Sequence, residues 1–182
     1  MTRDVLFIQG GGEGAHDYDA ALAENLQSTL GPGYRLRYPR MPNEGSPDDQ
    51  AWKSSLAKEI AALGDRVIVV AHSVGAAIFV RSLAKGGGIA KIAGLFLIAA
   101  PFIGEGGWSI PGFEPMDKAS TKLSHDLPIY LYHGRADESV PFAHVELYAK
   151  AIPWAQVRRL DDADHQLNND LSKVAADIRQ LG

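Results

Sequence analysis

The runs Val67-Ile68-Val69-Val70 and Leu95-Phe96-Leu97-Ile98 are apolar at every position. A strand with one wet face alternates apolar and polar residues, so an unbroken run belongs in a sheet covered on both sides. Such a sheet is parallel, and parallel neighbours need a crossover long enough to hold a helix. The rest of the chain follows this rule. Strand candidates fall at residues 5–9, 34–38, 66–71, 92–99, 128–132 and 156–160. Between them, apolar residues recur at helical spacing: Tyr18, Leu22, Leu26 and Leu30, then Trp52, Leu56 and Ile60, then Val80, Leu83 and Ala84. Val145, Tyr148 and Ile152 follow Pro141, which suits a first helical turn, and Leu171, Val174, Ala175 and Ile178 close the chain. The expected fold is α/β and doubly wound, a mostly parallel six-stranded sheet with helices on both faces.

A chain of 182 residues suits one domain, expected over 1–182. Hydrophobic residues at 46% and charged residues at 22% argue against disorder. There is no cysteine, which excludes disulfides, thiolate metal sites and a cysteine nucleophile together. The net charge of −4 argues against a nucleic-acid partner. No apolar run approaches the roughly 20 residues a bilayer span requires, and Val5-Leu6-Phe7-Ile8 is too short for a secretory signal core. A cytoplasmic protein with no membrane contact is expected.

The sharpest local signal is Ala71-His72-Ser73-Val74-Gly75, set between an apolar run and a helical pattern. A serine raised on a tight strand-to-helix turn needs small residues two before and two after it, here Ala71 and Gly75. Glycine is usual at the first of these positions, so Ala71 is a departure. A serine hydroxyl is a weak nucleophile until a base removes its proton and a third group orients that base. The fifth strand candidate leads into Asp137 and the sixth into His165. Ligand sites of parallel sheets form at the carboxyl ends of the strands, so Ser73, Asp137 and His165 are expected on one rim. An oxyanion hole needs two backbone N–H donors. Val74 is expected to supply one, and Gly11, or Gly12 beside it, the other.

The same glycines also satisfy the dinucleotide fingerprint, as Gly10-x-Gly12-x-x-Ala15, with Arg40 after the second strand candidate placed for a phosphorylated cofactor. That reading leaves Ser73, Asp137 and His165 without a role. His72 should point away from Ser73 across the strand, in a structural role, and His133 likewise. His16, Asp17 and Asp19 read as a solvated helix start, with no metal-site spacing. Residues 101–126 keep no period, as a functional or mobile loop would. Its apolar residues Phe102, Ile103, Trp108, Ile110 and Phe113 form either a substrate wall over Ser73 or a cover for the sheet; Phe102, Trp108 and Phe113 are the candidates for substrate contact. Residues 39–47 form a shorter interruption of the same kind.

With the glycine loop at 9–12, the elbow at 71–75, the acid loop at 133–137 and Asp164-His165, the chain resembles the α/β-hydrolase superfamily over essentially its whole length. Its small size and Gly107-Trp108 followed by Phe113 look most like the compact retinoblastoma-binding-type serine hydrolases and their bacterial relatives. The resemblance implies a minimal six-stranded version of the fold without a large lid. It also implies hydrolysis of a small acyl ester with no metal or organic cofactor. A non-catalytic binding module, docking a protein partner on the loop 101–126, is the alternative.

Overall fold

The computed structural model describes residues 2–84, 91–113, 115–116 and 122–181. Six strands form one sheet: β1 (Arg3–Ile8), β2 (Tyr34–Arg37), β3 (Val67–His72), β4 (Ile92–Ile98), β5 (Ile129–Gly134) and β6 (Gln156–Leu160). They lie in the order β2-β1-β3-β4-β5-β6, and every pairing is parallel. The strands therefore match the expected positions to within one or two residues, and the sheet is parallel throughout. Five helices connect them: α1 (Ala15–Leu30), α2 (Asp49–Ala62), α3 (Ser73–Ala84), α4 (Ala143–Ala151) and α5 (Ser172–Arg179). Among the described residues, no helix is long and apolar enough to cross a membrane.

The unbroken apolar runs have a direct physical account. Val67, Val69, Leu95, Leu97, Ile129 and Leu131 pack into one core with α2, α3 and α4. Their sequence neighbours Ile68, Val70, Phe96, Ile98, Tyr130 and Tyr132 pack on the opposite face with α1 and α5. Successive side chains point to opposite faces, and both faces are dry.

On α1 the buried stripe is Asp19, Leu22, Ala23, Leu26 and Leu30. Tyr18, expected on that stripe, is 71% exposed, and Asp19, expected in solvent, is 2% exposed. Asp19 lies three residues before Leu22 and seven before Leu26, on the buried face of α1, where its carboxylate meets the Gly10 N–H and His72. Farther along α1, Gln27 reaches the edge strand. Its amide donates to the Tyr34 carbonyl at 3.2 Å, and its carbonyl accepts the Leu36 N–H at 2.8 Å.

The interruption at 39–47 is anchored from two sides. Trp52 of α2 is fully buried and donates its indole N–H to the Pro42 carbonyl at 2.8 Å. Gln9, just past β1, accepts the Met41 N–H at 2.9 Å and donates to Glu44 at 2.6 Å. Trp52→Ala is expected to lower unfolding free energy by about 3–5 kcal/mol, measured as a reduced urea midpoint. An unchanged midpoint would show that the loop and α2 are held by other contacts.

Candidate active site

β3 passes into α3 with no intervening loop: the strand ends at His72 and the helix begins at Ser73. This abrupt change sets Ser73 at φ 50°, a left-handed conformation that costs a non-glycine residue of order 1–3 kcal/mol. Gly75 is dictated by close approach. A Cβ there would sit 2.0 Å from the Gln9 carbonyl oxygen and 2.9 Å from Ile8. Ala71, the departure from glycine, is fully buried within a core cluster, where its methyl group is accommodated.

The acid loop and the base loop are locked together at their backbones. Arg135 N–H donates to the Leu160 carbonyl at 2.8 Å, and Ala136 N–H to the Ala163 carbonyl at 3.1 Å. A Cβ on Gly134 would lie 1.9 Å from the Ala163 oxygen, so only glycine permits this approach. Asp164 then builds the turn that presents its neighbour: its Oδ1 accepts the N–H groups of Gln166 at 2.9 Å and Asn168 at 2.8 Å. Leu167, Asn168 and Asn169 follow at φ 49°, 55° and 55°, three consecutive left-handed residues.

These supports bring Ser73, His165 and Asp137 together. His165 Nε2 lies 3.1 Å from Ser73 Oγ, and His165 Nδ1 lies 2.8 Å from Asp137 Oδ2. The Asp137 side chain is fully buried, and that of His165 is 19% exposed. Asp137 Oδ1 accepts the N–H groups of Ser139 and Val140, both at 2.8 Å. Burial alone would raise the Asp137 pKa. Hydrogen bonds from His133, His165 and the Val140 N–H outweigh that effect and hold it well below the ordinary carboxylate range. A carboxylate here accepts from Nδ1, which leaves Nε2 with a lone pair directed at the serine hydroxyl. His133 is buried, its Nε2 2.9 Å from the Val140 carbonyl and 3.2 Å from Asp137, a supporting place consistent with its expected structural role.

The three glycines after β1 are differently employed. Gly10 N–H donates to Asp19 at 2.7 Å, and Gly12 N–H to the Glu44 carbonyl at 2.7 Å. Gly12 was one of the two expected donors to an oxyanion, but its N–H is committed inside the protein. The Gly11 N–H has no hydrogen bond among the described residues. Gly11 lies between Pro47 and Val74: a Cβ on it would meet Pro47 Cγ at 2.7 Å and Val74 Cβ at 3.2 Å. Val74 is the second residue of α3, where the helix leaves main-chain N–H groups without intrahelical acceptors. The committed N–H groups of Gly10 and Gly12 also leave no open cradle for a dinucleotide pyrophosphate. Arg40 is likewise occupied, paired with Asp17 at 2.5 Å and Glu44 at 2.7 Å.

Of the irregular stretch 101–126, residues 114 and 117–121 lie outside the described residues. Phe102 is buried edge-on against Tyr148 and donates its N–H to His144 Nδ1 at 2.8 Å. Trp108 packs edge-on against His144, and Phe113 lies against the Arg81 guanidinium. These contacts are with Arg81 of α3 and with His144 and Tyr148 of α4. The residue found against the glycine loop is Pro47, from the shorter interruption. The only signal for it in the sequence was that break in helical period.

A family model described as serine hydrolase matches residues 24–171. The chain belongs to that family. Curated proteins gave no match. Among solved structures, this serine hydrolase is similar to the ydeN gene product of B. subtilis at 18% identity and TM-score 0.73, over 99% of this chain and 98% of that one. It is also similar to a Pyrococcus furiosus esterase at 15% identity and TM-score 0.74, over 99% and 82% of the two chains. The thioesterase domain from the curacin biosynthetic pathway matches at 16% identity and TM-score 0.72, over 97% and 90%. The fold is that of the α/β hydrolases.

Because the folded-state pKa of Asp137 is depressed, its contribution to stability is present above the unfolded carboxylate value of about 3.9 and is lost as pH falls below it. Asp137→Asn is expected to flatten that acid limb in melting temperatures measured from neutral pH downward. An acid limb as steep as the parent's would show that Asp137 is not the group being protonated.

Proposed function

We propose that this serine hydrolase cleaves small acyl esters through an acyl-enzyme intermediate, with Ser73 as nucleophile, His165 as base and Asp137 orienting the base. The observation that carries the reading is the continuous set of contacts from hydroxyl to imidazole to buried carboxylate, at 3.1 and 2.8 Å.

Ser73 Oγ attacks the acyl carbonyl carbon while His165 Nε2 takes the hydroxyl proton. The carbonyl electrons move onto oxygen, and the N–H groups of Val74 and Gly11 stabilise that charge. One such donor is typically worth about 2.7–4 kcal/mol in the transition state. The tetrahedral species collapses as His165 gives its proton to the departing alcohol. Water then attacks the Ser73 ester, again deprotonated by His165, and releases the acid and the free serine. Asp137 stays ionised throughout, in keeping with its depressed pKa. We take the acyl group to be small because the Pro47 ring stands close to Gly11, whose N–H is assigned here to the oxyanion.

Ser73→Ala is expected to reduce turnover of p-nitrophenyl acetate by at least on the order of 10⁴-fold and to abolish labelling by a fluorophosphonate, with an unchanged circular dichroism spectrum. Turnover at the parent's level would sink the assignment. Among p-nitrophenyl esters, kcat/KM is expected to fall as the acyl chain lengthens, and a rise with chain length would rule out the narrow acyl site.

A further inference from the structure

A second carboxylate–imidazole pair lies beneath the elbow, and the reaction described above does not use it. The side chains of Asp19 and His72 are each 2% exposed. Asp19 Oδ2 accepts the Gly10 N–H at 2.7 Å and lies 2.8 Å from His72 Nδ1, while its Oδ1 accepts the Gln166 amide at 3.0 Å. On the far side of the ring, His72 Nε2 lies 3.0 Å from the main-chain carbonyl oxygen of His165. One carboxylate thus joins the glycine loop, the elbow and the base loop, the last of them 147 positions from Asp19 in the chain.

The direction of these bonds follows from their chemistry. A main-chain carbonyl only accepts, so His72 Nε2 must donate to His165. Asp19 receives N–H groups from Gly10 and Gln166, which favours its ionised form. Burial opposes that form, but hydrogen bonds and charge from His72, together with those from Gly10 and Gln166, prevail and lower its pKa. The imidazole spans the space between that fixed carboxylate and the backbone of the base loop, with Nδ1 facing one and Nε2 the other.

We propose that Asp19 and His72 are positioning residues that hold the His165 carbonyl, and through it the His165 imidazole, within reach of Ser73 Oγ. The proposal rests on the roles given to Ser73 and His165 above. The backbone it restrains has reason to move, because Leu167, Asn168 and Asn169, two to four residues on, are all in the left-handed region. A restraint on the carbonyl is a restraint on the imidazole, since both hang from the same Cα. A displacement of about 1 Å in such a group can cost on the order of 10²-fold in rate.

Two amide substitutions separate the two contacts. In His72→Asn the amide nitrogen falls near the place of Nδ1, keeping the bond to Asp19 and losing the one to His165. In His72→Gln it falls near the place of Nε2, keeping the bond to His165. The expected result is a drop in kcat on p-nitrophenyl acetate of order 10²-fold for His72→Asn, with KM little changed. His72→Gln should restore most of kcat, and fluorophosphonate labelling rates should follow the same order. A role limited to stability predicts that kcat of the folded fraction is unchanged in both, and that result overturns the proposal, as does an equal loss in both. Should His72→Asn fail to fold, Asp19→Ala provides the same reading, because it removes the acceptor that faces His72 Nδ1. A kcat for the folded fraction of Asp19→Ala at the parent's level counts against the pair. If Ser73→Ala is inactive while His72→Asn matches the parent, only the positioning role fails. If the parent itself neither turns over ester nor takes up the probe, the roles of Ser73 and His165 fail and the pair's role with them.

Discussion

Close approach of backbone to backbone governs the carboxyl rim of this sheet. α3 comes so near the end of β1 that a methyl group at Gly75 would lie 2.0 Å from the Gln9 oxygen. The acid loop comes so near the base loop that one at Gly134 would lie 1.9 Å from the Ala163 oxygen. The first approach sets the elbow against the glycine loop, and the second sets Asp137 against His165. Both set the separations at which Ser73, His165 and Asp137 meet, and α/β packing on two dry faces of the sheet holds those separations against relaxation.

The same rim carries buried charge, which is costly unless each charge is partnered. Asp137 has two main-chain N–H groups and two imidazoles. Asp19 has a main-chain N–H, an imidazole and an amide. Asp177, on α5, binds Arg158 through both carboxylate oxygens and accepts the Tyr132 hydroxyl at 2.7 Å. In all three, burial pushes the pKa up and the partners pull it down further. Full satisfaction makes these groups rigid, and rigidity is what a hydroxyl–imidazole contact at 3.1 Å requires.

Much of this is legible in the sequence. Unbroken apolar runs revealed a sheet covered on both faces, and small residues around Ser73 revealed the turn. The meeting of Asp137 and His165 with Ser73 could be anticipated because topology sends strand ends to one edge, so a local reading of each strand end carried three-dimensional content. The matched family agrees with a serine hydrolase. What escaped it depends on partners far apart in sequence. Asp19 looked like a solvated helix start because nothing nearby reveals that His72, 53 positions on, waits for its carboxylate. Asp19, three residues before Leu22 and seven before Leu26, lies on the leucine stripe by spacing, and only its polarity hides the fit. Gly11 and Gly12 are equivalent as letters; the Glu44 carbonyl distinguishes them. Pro47 lies in a segment with no period, where spacing carries no information about neighbours.

Gln27 bears on a different matter, the width of the sheet. β2 is the outermost strand on its side, and a parallel sheet with a bare margin can recruit a further strand from any extended peptide. The Gln27 amide presents one acceptor and one donor to the Leu36 N–H and the Tyr34 carbonyl, in the manner of a passing peptide group. Both sites lie on the margin that a newcomer would have to claim. The molecule thus terminates its own hydrogen-bonding ladder with a side chain, so lateral growth from this border must first evict an amide already in place.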